Sequence, residues 1–123
     1  MHLRSWTPET LTYEQAYNTW ALRLFPWEGV EKPGWSGAWV VVMAGETTTP
    51  HAHEEKEIFF IVEGSGIIRI GEQETRVSFG DSVFIDPRQE HCIINDSSEA
   101  RLLFLSVWWK ERAASPVASV EMK

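Results

Sequence analysis

The chain's 123 residues, with 43% hydrophobic residues and seven tryptophans, suffice for one domain with a real core and not for two. Its aromatic content excludes a disordered chain. Its formal charge of −7 excludes a nucleic-acid backbone as partner, because phosphate binding takes clustered lysine and arginine.

The N-terminal "MHLRSWTPETLTYEQAY" has no continuous apolar stretch and no small-residue cleavage site, so no signal peptide is expected. No apolar run approaches the roughly 18 residues that span a bilayer, and no membrane partner is expected. The single Cys92 cannot close an internal disulfide, which makes a reducing cytoplasm the expected compartment. His2 is expected to be disordered.

"TYEQAYNTWALRLF" pairs Thr12 with Gln15 in a capping-box pattern, with apolar residues near helical spacing. A short helix is predicted from about Tyr13 to Thr19. Pro26, Gly29, Pro33 and Gly34 then mark an irregular, Trp-rich connection.

From Ser36 the period changes. "GAWVVVM", "EIFFIV", "GIIRI", "TRVSF", "SVFI", "HCIIN" and "ARLLFLSVWW" are short β-branched or aromatic runs with glycine-bearing turns between several of them. Such a series predicts an antiparallel sandwich or barrel. "GIIRIGEQETRVSF" reads as a hairpin turning at Gly71 to Glu74. The tail "KERAASPVASVEMK" reads as a disordered terminus or a linker.

Chemistry concentrates in "GETTTPHAHEEKEIFFIVEG". On a strand His51 and His53 project to one side, and Glu57 shares their parity. Two imidazoles and a carboxylate on one face are ligands for first-row metals, and His91 is a fourth candidate if a barrel brings "HCIIN" alongside. The same residues fit a surface histidine pair. By parity Trp39, Met43, Phe59 and Ile61 are candidates to line a substrate pocket, or else to be core. Arg23 is a candidate for binding a substrate carboxylate, or else a solvated helix-end arginine. Tyr13 and Tyr17 are candidates to close the pocket mouth, and Asp86 and Arg88 to form a polar rim. Cys92 reads as a small core residue.

The two halves of this pattern resemble the cupin family. Gly45, His51, His53, Glu57 and Gly64 match its first motif, G-x5-HxH-x3-E-x6-G, at every defined position. Gly80, His91 and Asn95 match the second, G-x5-P-x-G-x2-H-x3-N, with Asp86 and Arg88 standing where the motif has proline and glycine. The resemblance implies an all-β cupin barrel (a jelly roll), to which the short N-terminal helix read from the sequence pattern would be attached. The expected layout is one cupin domain over residues 1–110, its barrel at 36–109, and a tail or linker at 111–123. It further implies that His51, His53, Glu57 and His91 hold one divalent metal. Glu57 has a second possible role as general base, hence as a catalytic residue.

"GAWVVVMAGETTTPHAHEEKEIFFIVEGSG" with "LLFLSVWWK" is similar to the zinc-binding cupins of hydrazine synthetases. That resemblance implies zinc, a methionyl-tRNA-synthetase-like partner and formation of an N–N bond from an unstable aminoacyl ester of an N-hydroxylated amine. Iron, manganese or nickel would fit the same ligands. The rival readings are an iron-dependent dioxygenase, an isomerase and a small-molecule sensor. A homodimer is a further expectation, with the apolar "VWW" as contact surface.

Overall fold

The computed structural model describes residues 1–111. The predicted tail therefore lies, but for Lys110 and Glu111, outside the described residues. Nine strands form: β1 (Thr12–Glu14), β2 (Thr19–Arg23), β3 (Trp35–Val42), β4 (Lys56–Glu63), β5 (Ser65–Ile70), β6 (Gln73–Ser78), β7 (Ser82–Ile85), β8 (His91–Ile94) and β9 (Leu102–Trp109). They make a six-stranded sheet, ordered β1-β2-β3-β9-β4-β7, and a three-stranded sheet, ordered β6-β5-β8. Every pairing within these sheets is antiparallel. All seven predicted β runs are strands, as expected of apolar β-branched and aromatic segments separated by turns. The β5–β6 turn is tighter than predicted, since Ile70 already pairs with Gln73 and only Gly71 and Glu72 remain between the strands.

The predicted helix over Tyr13–Thr19 is corrected. Thr12–Glu14 and Thr19–Arg23 form a hairpin, with Tyr13 opposite Trp20, and Asn18 takes a left-handed φ of 54° at its turn. Asparagine tolerates that conformation, and threonine, tyrosine and tryptophan favour strands. Pairing with β3 therefore outweighs the weak helical period. The helical content at this end is one 3-10 turn at Pro8–Thr10, whose capping box runs from Thr7 to Thr10. His2, expected to be disordered, sits edge-on to Trp27 with ring centroids 6.5 Å apart.

The inner faces of the two sheets close over one core. Val40, Val42, Ile61, Leu102 and Phe104 from the large sheet meet Ile68, Val77 and Ile93 from the small one. Along β4 the inward residues change from Glu57 to Phe59 and Ile61, all buried. One end of the barrel is thus polar and the other is filled with hydrocarbon. Ile61, a pocket candidate, belongs to the filled end. Cys92 is fully buried, and that burial pushes its thiol pKa up.

Gly64 joins β4 to β5 with φ of 83°, and a Cβ there would lie 2.5 Å from the Arg101 carbonyl oxygen. Gly64→Ala should therefore cost about 1–3 kcal/mol. Thermal unfolding followed by circular dichroism checks this, and an unchanged melting temperature would refute it.

Candidate metal centre

His51 and His53 stand on the connection between β3 and β4, not on a strand as predicted. A single antiparallel bridge joins His51 to His91 at the start of β8. It is closed by backbone hydrogen bonds of 3.2 and 3.0 Å in the two directions. The Arg88 N–H donates to the His53 carbonyl at 2.7 Å, so the two ligand-bearing loops are stitched together. Arg88 does this with φ of 66°, a left-handed conformation that explains the motif's preference for glycine at this position. Its side chain donates to Glu54 at 3.0 Å. Neither Asp86 nor Arg88 lines the pocket.

Each imidazole donates its Nδ1–H to a backbone carbonyl two residues away. The partners are Thr49 for His51 at 3.0 Å, Glu55 for His53 at 3.0 Å, and Gln89 for His91 at 2.9 Å. A carbonyl only accepts, so in the neutral rings the proton stays on Nδ1 and the Nε2 lone pair is free to bind a cation. With Glu57 these rings form a cluster whose ligand atoms all lie within 4.8 Å of one another. One ion with bonds of about 2.0–2.2 Å spans nearly that distance.

Glu57 is only 7% exposed. Its Oε1 faces His53 Nε2 at 2.8 Å, and its Oε2 accepts a short hydrogen bond from Ser106. Burial pushes the Glu57 pKa up, but His91, Ser106 and His53 outweigh burial and hold it below the usual carboxylate range. The His91 pKa is raised: burial opposes the shift, while the Glu57 carboxylate and the Gln89 carbonyl drive it. Burial also lowers the His51 pKa, only partly offset by the Thr49 carbonyl. His91 Nε2 lies 3.2 Å from Glu57 Oε1, yet off the line of a hydrogen bond. It is the buried side-chain polar atom without a hydrogen-bond partner among the described residues. Hydrogen bonds weaken steeply off line, so this contact does not satisfy the nitrogen. A buried nitrogen aimed at a carboxylate and two further lone pairs fits a cation at their centre. The donor set therefore fits a divalent metal.

The centre opens into a cavity of about 320 Å³. Ala38 and Val40 of β3, Phe59 of β4, and Phe104 and Trp108 of β9 line it. Of the candidate substrate contacts, Arg23 and Phe59 lie in this wall, whereas Trp39 and Met43 do not. The correction has a simple cause. A turn at Met43–Glu46, with Gly45 at φ of 77°, separates β3 from His51. The strand alternation therefore cannot be carried across it, and it is Ala38 and Val40 that face inward. Tyr17 lines the cavity, its ring 4.9 Å from that of His51, while Tyr13 packs against Trp20 instead. Sequence reasoning missed Ser106 and Glu14. A lone hydroxyl inside the apolar "LLFLSVWW" was a readable signal for Ser106; Glu14 had none.

An antiparallel barrel with three inward imidazoles and a carboxylate at one end defines a class of metal-binding β-barrels. A family model for the cupin domain matches residues 38–108, and the chain belongs to that family. Uncharacterized protein MJ1618 of Methanocaldococcus jannaschii is 34% identical over 56 residues, which is 45% of this chain and 45% of that relative. The match thus spans under half of that curated relative's length. Two solved structures are similar over nearly the whole chain. The plu4264 protein from Photorhabdus luminescens has 28% identity and a TM-score of 0.79, with 97% of this chain and 92% of that chain covered. A Cupin 2 conserved barrel domain protein from Salinispora arenicola has 28% identity and a TM-score of 0.80, with 89% of each chain covered.

Two expectations follow. Ser106→Ala should weaken zinc binding about 10–100-fold, since it strips a buried donor from Glu57; competition with a chelating dye reads this, and equal affinity would refute it. Metal uptake must also displace the proton that His91 holds above its usual range. Affinity should therefore fall as pH drops through the titration of His91, which lies above the ordinary imidazole value, and level off above it. A flat pH profile would contradict imidazole ligation.

Proposed function

We propose that this chain is a zinc-dependent cupin enzyme that rearranges an aminoacyl ester of an N-hydroxylated amine into a hydrazine. The observation that carries the reading is the set of three Nδ1-anchored imidazoles and one buried carboxylate opening into the cavity. In the reaction the free amine of the aminoacyl group attacks the hydroxylated nitrogen. The N–N bond forms, the N–O bond breaks with its electron pair leaving on the carboxylate, and the amine loses a proton. Atoms and electrons balance without any oxidant.

His51, His53 and His91 would hold the ion, with Glu57 as fourth ligand or as proton acceptor. A bound Zn²⁺ supplies a Lewis acid that stabilises negative charge on the departing carboxylate. Glu57 is held ionised by its neighbours and can accept the strongly acidic proton of the newly formed N–N cation. Phe59, Phe104 and Val40 exclude water from the reacting atoms. Activation of the amino acid by a methionyl-tRNA-synthetase-like partner, a cytoplasmic location and a homodimer belong to the same proposal. Among the described residues no helix is long and apolar enough to cross a membrane.

The test is elemental content after mild purification, followed by presentation of an enzymatically generated aminoacyl ester of an N-hydroxylated amine. Near-stoichiometric zinc and an N–N product by mass spectrometry are expected. His53→Ala should lose both metal and product. Stoichiometric iron with oxygen consumption would instead establish the dioxygenase reading.

A further inference from the structure

Five residues of the cavity wall come from the N-terminal hairpin: Glu14, Tyr17, Thr19, Ala21 and Arg23. All lie outside the 38–108 span that matches the cupin domain. The hairpin is locked to the ligand loop, because Thr49 N–H donates to the Tyr17 carbonyl at 2.9 Å and Asn18 Nδ2 donates to the Thr47 carbonyl at 2.9 Å. Whatever this hairpin presents is therefore held in a defined position relative to His51.

It presents an ion pair. Arg23 donates from Nε to Glu14 Oε2 at 2.9 Å and from Nη2 to Oε1 at 2.7 Å. The guanidinium also sits over the Trp108 ring, 5.7 Å from its centroid. Two parallel hydrogen bonds and a stacked ring hold the fork rigidly, and only one of its edges is used by Glu14. Tyr17 also neighbours the guanidinium, and the Nη1 donors that Glu14 does not engage face an incoming carboxylate. Each Glu14 oxygen accepts one of these bonds, which leaves each a second lone pair for an ammonium. The Arg23 side chain is 47% exposed and that of Glu14 is 20% exposed, so both reach a ligand in the cavity.

We propose that the Glu14–Arg23 pair is a recognition site for a free amino-acid head, Arg23 taking the carboxylate and Glu14 the ammonium of a small zwitterionic substrate. This rests on the proposed function in one respect, that the substrate's other end reaches the metal centre. The cavity of about 320 Å³ lies at the small end of ligand sites, which suits a substrate of amino-acid dimensions. The apolar side chains of Ala21, Ala38 and Val40 between the ends fit an aliphatic linker.

The test is calorimetric titration of the zinc-loaded full chain with three probes: L-norleucine, hexanoate, which lacks the amine, and pentylamine, which lacks the carboxylate. Norleucine should bind tighter than either fragment. Arg23→Gln should weaken norleucine and hexanoate about tenfold or more while sparing pentylamine. Glu14→Gln should weaken norleucine and pentylamine. Arg23→Lys, which keeps charge and loses the fork, should fall between wild type and Arg23→Gln for hexanoate. Zinc content and circular dichroism establish that each variant is folded. Norleucine binding no tighter than its fragments, or unchanged affinities in folded Arg23→Gln, would overturn the proposal. An intact binding pattern without N–N product would sink the proposed reaction and leave this site standing. An N–N product with unchanged affinities would do the reverse.

Discussion

The rest of this structure depends on burying one carboxylate. Glu57 sits between two sheets at 7% exposure, and an isolated charge there would be strongly unfavourable. Its neighbours supply part of what water would have given: the Ser106 hydroxyl donates to Oε2, and the His53 and His91 rings face Oε1. The three backbone carbonyls that hold the Nδ1 protons turn the same imidazoles into inward lone-pair donors. Carboxylate and lone pairs together call for a positive charge at their centre. A proton can meet that need in part, as the raised His91 pKa indicates, and a dication meets it better.

The barrel divides labour along its length. The filled end, with Ile61, Ile68, Val77 and Leu102, stabilises the sandwich through apolar burial. The other end is left open, and the polar groups there are held by backbone contacts between loops. The His51–His91 bridge and the Arg88–His53 bond tie three ligands to one another. Asn95, conspicuous in the second motif, is 1% exposed and donates to the Val42 and Ala100 carbonyls. It therefore serves the loops around the barrel and not the metal.

The N-terminal hairpin adds something the barrel lacks. Its outward residues Trp20 and Leu22 pair in register with Val41 and Trp39 on β3, while its inward residues complete the cavity wall. The β2 strand extends the large sheet through its backbone pairing with β3, while one of its faces turns Thr19, Ala21 and Arg23 to the cavity.

By itself the sequence determined the strands and named the four residues that converge in the candidate metal cluster. Short apolar runs with glycine corners encode local geometry directly, and the histidine and glutamate spacing is a local signature of its motifs. It misjudged Tyr13–Thr19, because helical spacing and a hairpin compete there and pairing with β3 decides. It misplaced Trp39 and Met43, because strand parity is a local rule that the turn at Gly45 resets. The tertiary structure decided that Ser106 and Glu14 belong to the site and that Tyr17, but not Tyr13, lines its cavity. They converge from β9 and from the hairpin, and packing in three dimensions, not spacing along the chain, brings such distant side chains to one cavity.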